Sequence, residues 1–232
     1  MIITDKSLTP AKRFMEVIKE YFESKEYQYK KSERAFIKKD DLGFTKINIH
    51  FTSHFSIVLA TIHWERSFLN FEKIFANIAG NKKYKTETTF CVNISNYIPK
   101  QEAATNILCP LFDPETSLYD DFSLNSASEK IMRLYEIYAI PFFQKYNSYN
   151  SVYEEIIKLP LGQAQDFIIR YDKLPALGLM LANYYNYPHF EILKHSYYEL
   201  ANNVNIMIRD KMLAMINKVL IFIGENDVKK LL

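Results

Sequence analysis

The sequence predicts an α+β protein: a small antiparallel β-meander with packed helices, followed by an all-α C-terminal half. Three observations carry this reading. Residues 14–22 repeat apolar side chains at helical spacing, residues 44–97 alternate them at strand spacing, and beyond residue 125 the helical period returns between proline and glycine breaks.

In the first element Phe14, Val17, Ile18, Tyr21 and Phe22 fall at i, i+3, i+4, i+7 and i+8, with Lys12, Arg13, Glu16, Lys19, Glu20 and Glu23 assigned to the other face. Thr9 suits the cap and Pro10 the first helical position, where a missing N–H costs nothing. Burying five such side chains stabilises by about 7–15 kcal/mol before entropy. The helix therefore requires a partner surface, and the strands that follow supply one.

Residues 27–31 and 35–39 are short β-prone runs, and Asp40-Asp41-Leu42-Gly43 is a turn signal in which glycine offers a positive φ. Thr45, Ile47, Ile49 and Phe51 then alternate with Lys46, Asn48 and His50, as in a strand with one face buried and one wet. The more continuously apolar run 55–64 reads as a central strand. A short helix follows through Phe68, Phe71, Ile74, Phe75 and Ile78, with Gly80 as its stop, and residues 88–97 return to alternation.

Periodicity fails from Pro99 to Asn125, which marks residues 106–125 as a connecting loop between a helix-plus-sheet domain (1–105) and a helical domain (126–232). Ser126 with Glu129, and Ser151 with Glu154, have capping-box spacing and mark two helix starts. Pro141 predicts a kink, Pro175 and Pro188 suit new first turns, and the last helix is expected over 204–223 with Gly224 as its stop. No internal repeat is present.

Composition bounds function. The chain has 232 residues, 48% hydrophobic and 24% charged, the balance of a folded domain. A net charge of +2 provides no global field for nucleic acid or an anionic membrane, either of which would need a local patch. The dispersed aromatics, the missing catalytic motifs and a charged sheet edge beside an acidic loop lead us to expect another protein as partner. Charges in the first residues, and the lack of any long apolar run, point to the cytoplasm. Cys91 and Cys109 read as buried apolar residues rather than a disulfide.

Chemistry-bearing motifs are sparse. No phosphate-binding glycine loop and no nucleophile elbow occur, and no cofactor is expected. His50 and His54 have H-x-x-x-H spacing, but the pair straddles a turn and Phe51 stands where a catalytic Glu would, so no metal is expected. In a hairpin centred near Ser53, His63 is expected opposite Gly43 and away from His50. If the chain is an enzyme with a cleft between sheet and helices, the candidates are His50, His63, Cys91 and Asp113. If it binds a partner, they are the lysines Lys38, Lys39, Lys82, Lys83 and Lys85 of the sheet edge and the loop acids Asp120 and Asp121.

The order of first helix, charged hairpin at 27–39, Asp40-Asp41 turn and Phe44-Thr-Lys-Ile-Asn-Ile-His-Phe51 resembles a bacterial family of uncharacterised domains. Members of that family have been linked to immunity proteins that neutralise toxins. The resemblance covers the N-terminal half and rests on patterning. It implies a binding protein whose surface matters more than any pocket.

Overall fold

The computed structural model describes residues 10–54, 57–82, 89–93, 109–110, 121–158 and 172–232. In chain order these form α1 (Pro10–Ser24), β1 (Gln28–Lys30), β2 (Ala35–Lys39), β3 (Gly43–His54), β4 (Ile57–Phe68), α2 (Leu69–Ala79), β5 (Phe90–Asn93) and β6 (Cys109–Pro110). Then come α3 (Asp121–Leu134), a π-helical turn (Tyr135–Ala139), α4 (Ile140–Lys145), α5 (Tyr149–Lys158), α6 (Lys173–Tyr184), α7 (Phe190–Asn202), α8 (Ile206–Glu225) and a 3-10 turn (Val228–Lys230). The class is α+β, with an antiparallel sheet of order β1-β2-β3-β4-β5 and β6 paired to β4.

Two expectations for the connecting segment change. Residues 109–110 pair antiparallel with β4, Ala60 opposite Cys109, and α3 begins at Asp121 rather than Ser126. A two-residue bridge is too short to show alternation, and the capping-box spacing at 126–129 falls inside a helix. The rest of that segment, residues 106–108 and 111–120, lies outside the described residues.

The chain divides into two compact units that interleave along the sequence. The first comprises Met1–Lys39, Thr45–Glu65 and Val92–Gln144, the second Asp40–Phe44, Arg66–Cys91 and Lys145–Leu232.

In the first unit three of the five stripe residues of α1 are buried as their spacing predicts, while Val17 and Tyr21 are half-buried. Phe14, Ile18 and Phe22 are fully enclosed, Phe14 meets Phe51 of β3 edge-on at 6.0 Å, and Phe22 lies 4.8 Å from Phe36 of β2. Trp64 and Ile62 of β4 are buried too. Arg13, expected on the wet face, is buried, because α3 also packs against α1 and covers more than the apolar stripe. The helix ends without glycine. Glu26 takes φ 68°, Tyr27 N–H donates to Phe22 O and Glu26 N–H to Glu23 O, and the Tyr27 and Phe22 rings close the motif at 6.0 Å. Lys38 fixes this turn by donating to Glu26 Oε2 at 2.6 Å and to Lys25 O at 3.3 Å.

The expected kink at Pro141 takes the form of the π-helical turn before it, in which Ile140 N–H donates to Tyr135 O. A proline has no N–H to give the preceding turn, and widening that turn accommodates the loss.

In the second unit α6 is the central element, with α2, α5, α7, α8 and the 3-10 turn all packed on it. Residues 173–182 are buried without interruption, the pattern of a helix enclosed on every side. Gly178 permits this. A Cβ there would stand 1.9 Å from the Tyr197 hydroxyl of α7. The helices end as α1 does, with Gly80 (φ 72°) after α2, as predicted, and Asn186 (φ 52°) after α6.

The capping box of α5 lies three residues before its expected place. Ser148 Oγ accepts from Ser151 N–H at 3.2 Å while Ser148 N–H donates to Ser151 Oγ at 3.3 Å, so a second serine does the work expected of Glu154. Pro188 lies in the turn before α7 rather than in its first turn, whereas Pro175 does fall in the first turn of α6. Gly224 is inside α8, which runs on to Glu225 and an Asn226 cap.

Gly43 has a different reason from the one expected. Asp40 and Gly43 exchange backbone hydrogen bonds (3.1 and 3.2 Å) around a two-residue turn, and Gly43 does not take a positive φ. Its Cβ position is filled by the Ser67 carbonyl oxygen, 2.0 Å away. Gly43→Ala must displace backbone, and we expect it to cost about 3 kcal/mol. Gly224→Ala, with open space around it, should be neutral or slightly stabilising. Urea denaturation of both variants checks the contrast.

Candidate functional site

Side chains of chemical interest gather in three places, two in the first unit and one in the second. The first is the polar face of the β3–β4 hairpin. Odd-numbered residues of β3 face α1, so Lys46, Asn48 and His50 project from the opposite side. Asn48 Nδ2 donates to Glu65 Oε1, both side chains being largely buried. Lys46 Nζ lies 3.6 Å from Glu65 Oε2 and 3.1 Å from Glu33 Oε2, and Glu33 also pairs with Lys30. The hydrogen bond from Lys30 is the main reason the Glu33 carboxyl titrates below its usual range.

On the same face the rings of His50 and His63 stand 4.8 Å apart at 54°. This corrects the expected register. Side chains 48 and 65, and 50 and 63, meet across the β3–β4 pair, so the hairpin is centred beyond Ser53. The continuously apolar run that follows Ser53 hid this shift, because it carries no glycine, proline or asparagine to mark a turn. Burial, then the facing His50, holds His63 below the ordinary histidine range.

The second place is a groove of 640 Å³ along α1. Val17, Tyr21 and Met132 give it an apolar floor, and Glu16, Glu20 and Glu23 rim it with carboxylates, of which Glu23 lies 4.0 Å from Lys19. Beside it, Tyr21 O–H donates to Glu136 Oε1 at 2.5 Å and Lys25 Nζ approaches the same oxygen at 2.7 Å. The hydrogen bond from Lys25 is the largest influence lowering the Glu136 carboxyl, and burial raises the Tyr21 hydroxyl. The signal for this groove was legible: Glu16, Glu20 and Glu23 recur at i, i+4 and i+7, a spacing that a merely solvated helix face shares.

The third place is the buried polar network of the second unit. Lys173 Nζ of α6 and Glu72 Oε2 of α2 form an ion pair at 2.8 Å, both side chains 0% exposed. Thr89 Oγ1 donates to Glu72 Oε1 at 2.8 Å and accepts from Phe68 N–H at 3.0 Å. Nearby, Arg66 (side chain 2% exposed) forks onto Asp40 at 2.5 and 3.2 Å and donates to Tyr146 O at 3.2 Å. Asp40 Oδ1 also accepts from Gly43 and Leu42 N–H. Burial pushes the Asp40 carboxyl up, but Arg66 and those two N–H groups outweigh it and hold it below its ordinary value. The Tyr149 hydroxyl is pushed up to about 12 by burial. Neither Lys173 nor Arg66 carried a sequence signal, because a buried charge looks like a surface one until its partner is known.

The predicted residues are therefore only partly assembled. His50 and His63 come together. Cys91 lies in β5 and Cys109 in β6, and Asp113 lies outside the described residues. Lys38 is engaged with Glu26, while Lys39 and Lys82 are exposed and belong to different units. Lys83, Lys85 and Asp120 lie outside the described residues, and Asp121 opens α3. Among the described residues no three His, Cys, Asp or Glu side chains converge as a metal-ligand set, and no helix is long and apolar enough to cross a membrane. No protein-family model matches the chain, and comparison with curated proteins and with solved structures finds no similar one.

Two stability predictions follow from the buried charges. Lys173→Met leaves the Glu72 carboxylate enclosed without its cation and should cost about 3–5 kcal/mol, much of it recovered in the Glu72→Gln/Lys173→Met double variant. A double-mutant cycle in urea measures this. Asp40→Asn should cost about 1–2 kcal/mol at pH 7, reduced from a fully buried pair because Asp40 is 45% exposed. A depressed carboxyl stabilises above its unfolded pKa of about 4 and loses that contribution as pH falls through the lower folded value. The gap between parent and variant should accordingly close below pH about 4, which denaturation at stepped pH reads out.

Proposed function

We propose that the chain is a non-enzymatic, cytoplasmic protein-interaction module, and that it holds a basic segment of another protein in the groove along α1. The composition of that groove carries the reading. Its apolar floor of Val17, Tyr21 and Met132 suits the methylene stems of lysine or arginine, and the carboxylates of Glu16, Glu20 and Glu23 suit their charged heads. The groove is rimmed by one lysine against three glutamates, so it selects by charge as well as shape. The resemblance of the N-terminal half to domains linked to immunity proteins supports a toxin as the partner, since neutralisation requires capture rather than turnover.

Capture from native lysate tests this, comparing the parent with Glu16→Lys/Glu20→Lys/Glu23→Lys at low and high salt. The parent should recover one protein in stoichiometric amount, with recovery falling as salt rises, and the triple variant should recover at least about tenfold less. No stoichiometric protein at any salt, or equal recovery by both forms, would count decisively against the proposal.

A further inference from the structure

We propose that His50 and His63 together bind one divalent transition-metal ion, each through a single ring nitrogen, with water completing the coordination. The site is separate from the α1 groove and does not depend on it. Its basis is geometric. With metal–nitrogen bonds of about 2.0–2.1 Å, each imidazole centroid sits about 3.2 Å from the ion, and N–metal–N angles of about 90–110° separate two centroids by about 4.5–5.2 Å. The observed separation is 4.8 Å, with the rings inclined at 54°.

The surroundings agree with that use. The two residues face each other across neighbouring strands, so the backbone holds the rings together without metal. His50 is exposed, which leaves the remaining coordination positions open to water, and His63 is half-buried. Glu65, two residues along β4, places a carboxylate on the same face while bound to Asn48 and close to Lys46. Since no third protein ligand converges among the described residues, affinity should be modest and follow the intrinsic order, with Cu²⁺ tighter than Ni²⁺ or Zn²⁺.

The untagged full chain is titrated with CuCl₂, NiCl₂ and ZnCl₂ by calorimetry. One ion per chain should saturate in the micromolar range, weakening by at least about tenfold from pH 7 to pH 5.5 as protons compete for the rings. His50→Gln and His63→Gln should each weaken binding at least about tenfold. His195→Gln, which removes the exposed His195–Glu199 pair of α7, should leave it unchanged. The parent protein gives a second readout that needs no variant: Ni²⁺ should broaden the His50 and His63 ring resonances before those of His189 and His195. No saturable binding up to millimolar metal overturns the proposal. So does loss in His50→Gln with none in a folded His63→Gln, or broadening that spares His63.

Discussion

The pairing register of β3 and β4 is the constraint on which most of the rest depends. That register sets Asn48 against Glu65 and His50 against His63. Side chains alternate along a strand, so an odd slip of β4 against β3 would carry His63 and Glu65 to the α1 side and the apolar residues Ile62 and Trp64 to the other. Packing of α1 on one side therefore enforces the arrangement of imidazoles, amide and carboxylates on the other.

Charge pairing is abundant but uneven in weight. Lys46–Glu33, Lys38–Glu26 and Lys25–Glu136 involve partly exposed side chains and contribute little each. Two pairs that involve a buried cation are different. Lys173–Glu72 and Arg66–Asp40 tie α6 to α2 and the β2–β3 turn to β4, and both sets of partners lie within the second unit. Removing one member strands the other, so such pairs act as specifiers of arrangement as much as sources of stability.

The π-helical turn at Tyr135–Ala139 connects a local sequence feature to the candidate groove. Proline at 141 widens the preceding turn, and Glu136 within that turn receives both Tyr21 and Lys25 of α1. Glu136 is thus engaged with α1, while Glu16, Glu20 and Glu23 remain along the groove beside it. The α1 groove and the helix distortion are parts of one local arrangement in the first unit.

The sequence by itself determined the α+β class, the amphipathic stripe of α1, the extent of β2 and the stop at Gly80. Each of these is written in side-chain period or in the φ preference of one residue, which are properties of adjacent positions. Tertiary structure decided the hairpin register, the burial of Arg13, Arg66, Asn48 and Lys173, and the use of Gly43 and Gly178 for close approach. Non-glycine residues at Glu26 and Asn186 took left-handed turns that composition alone assigns to no particular place. The physical reason is common to all of these: each depends on which distant backbone or side chain arrives opposite, and a one-dimensional pattern records what a residue can tolerate but not what it will meet.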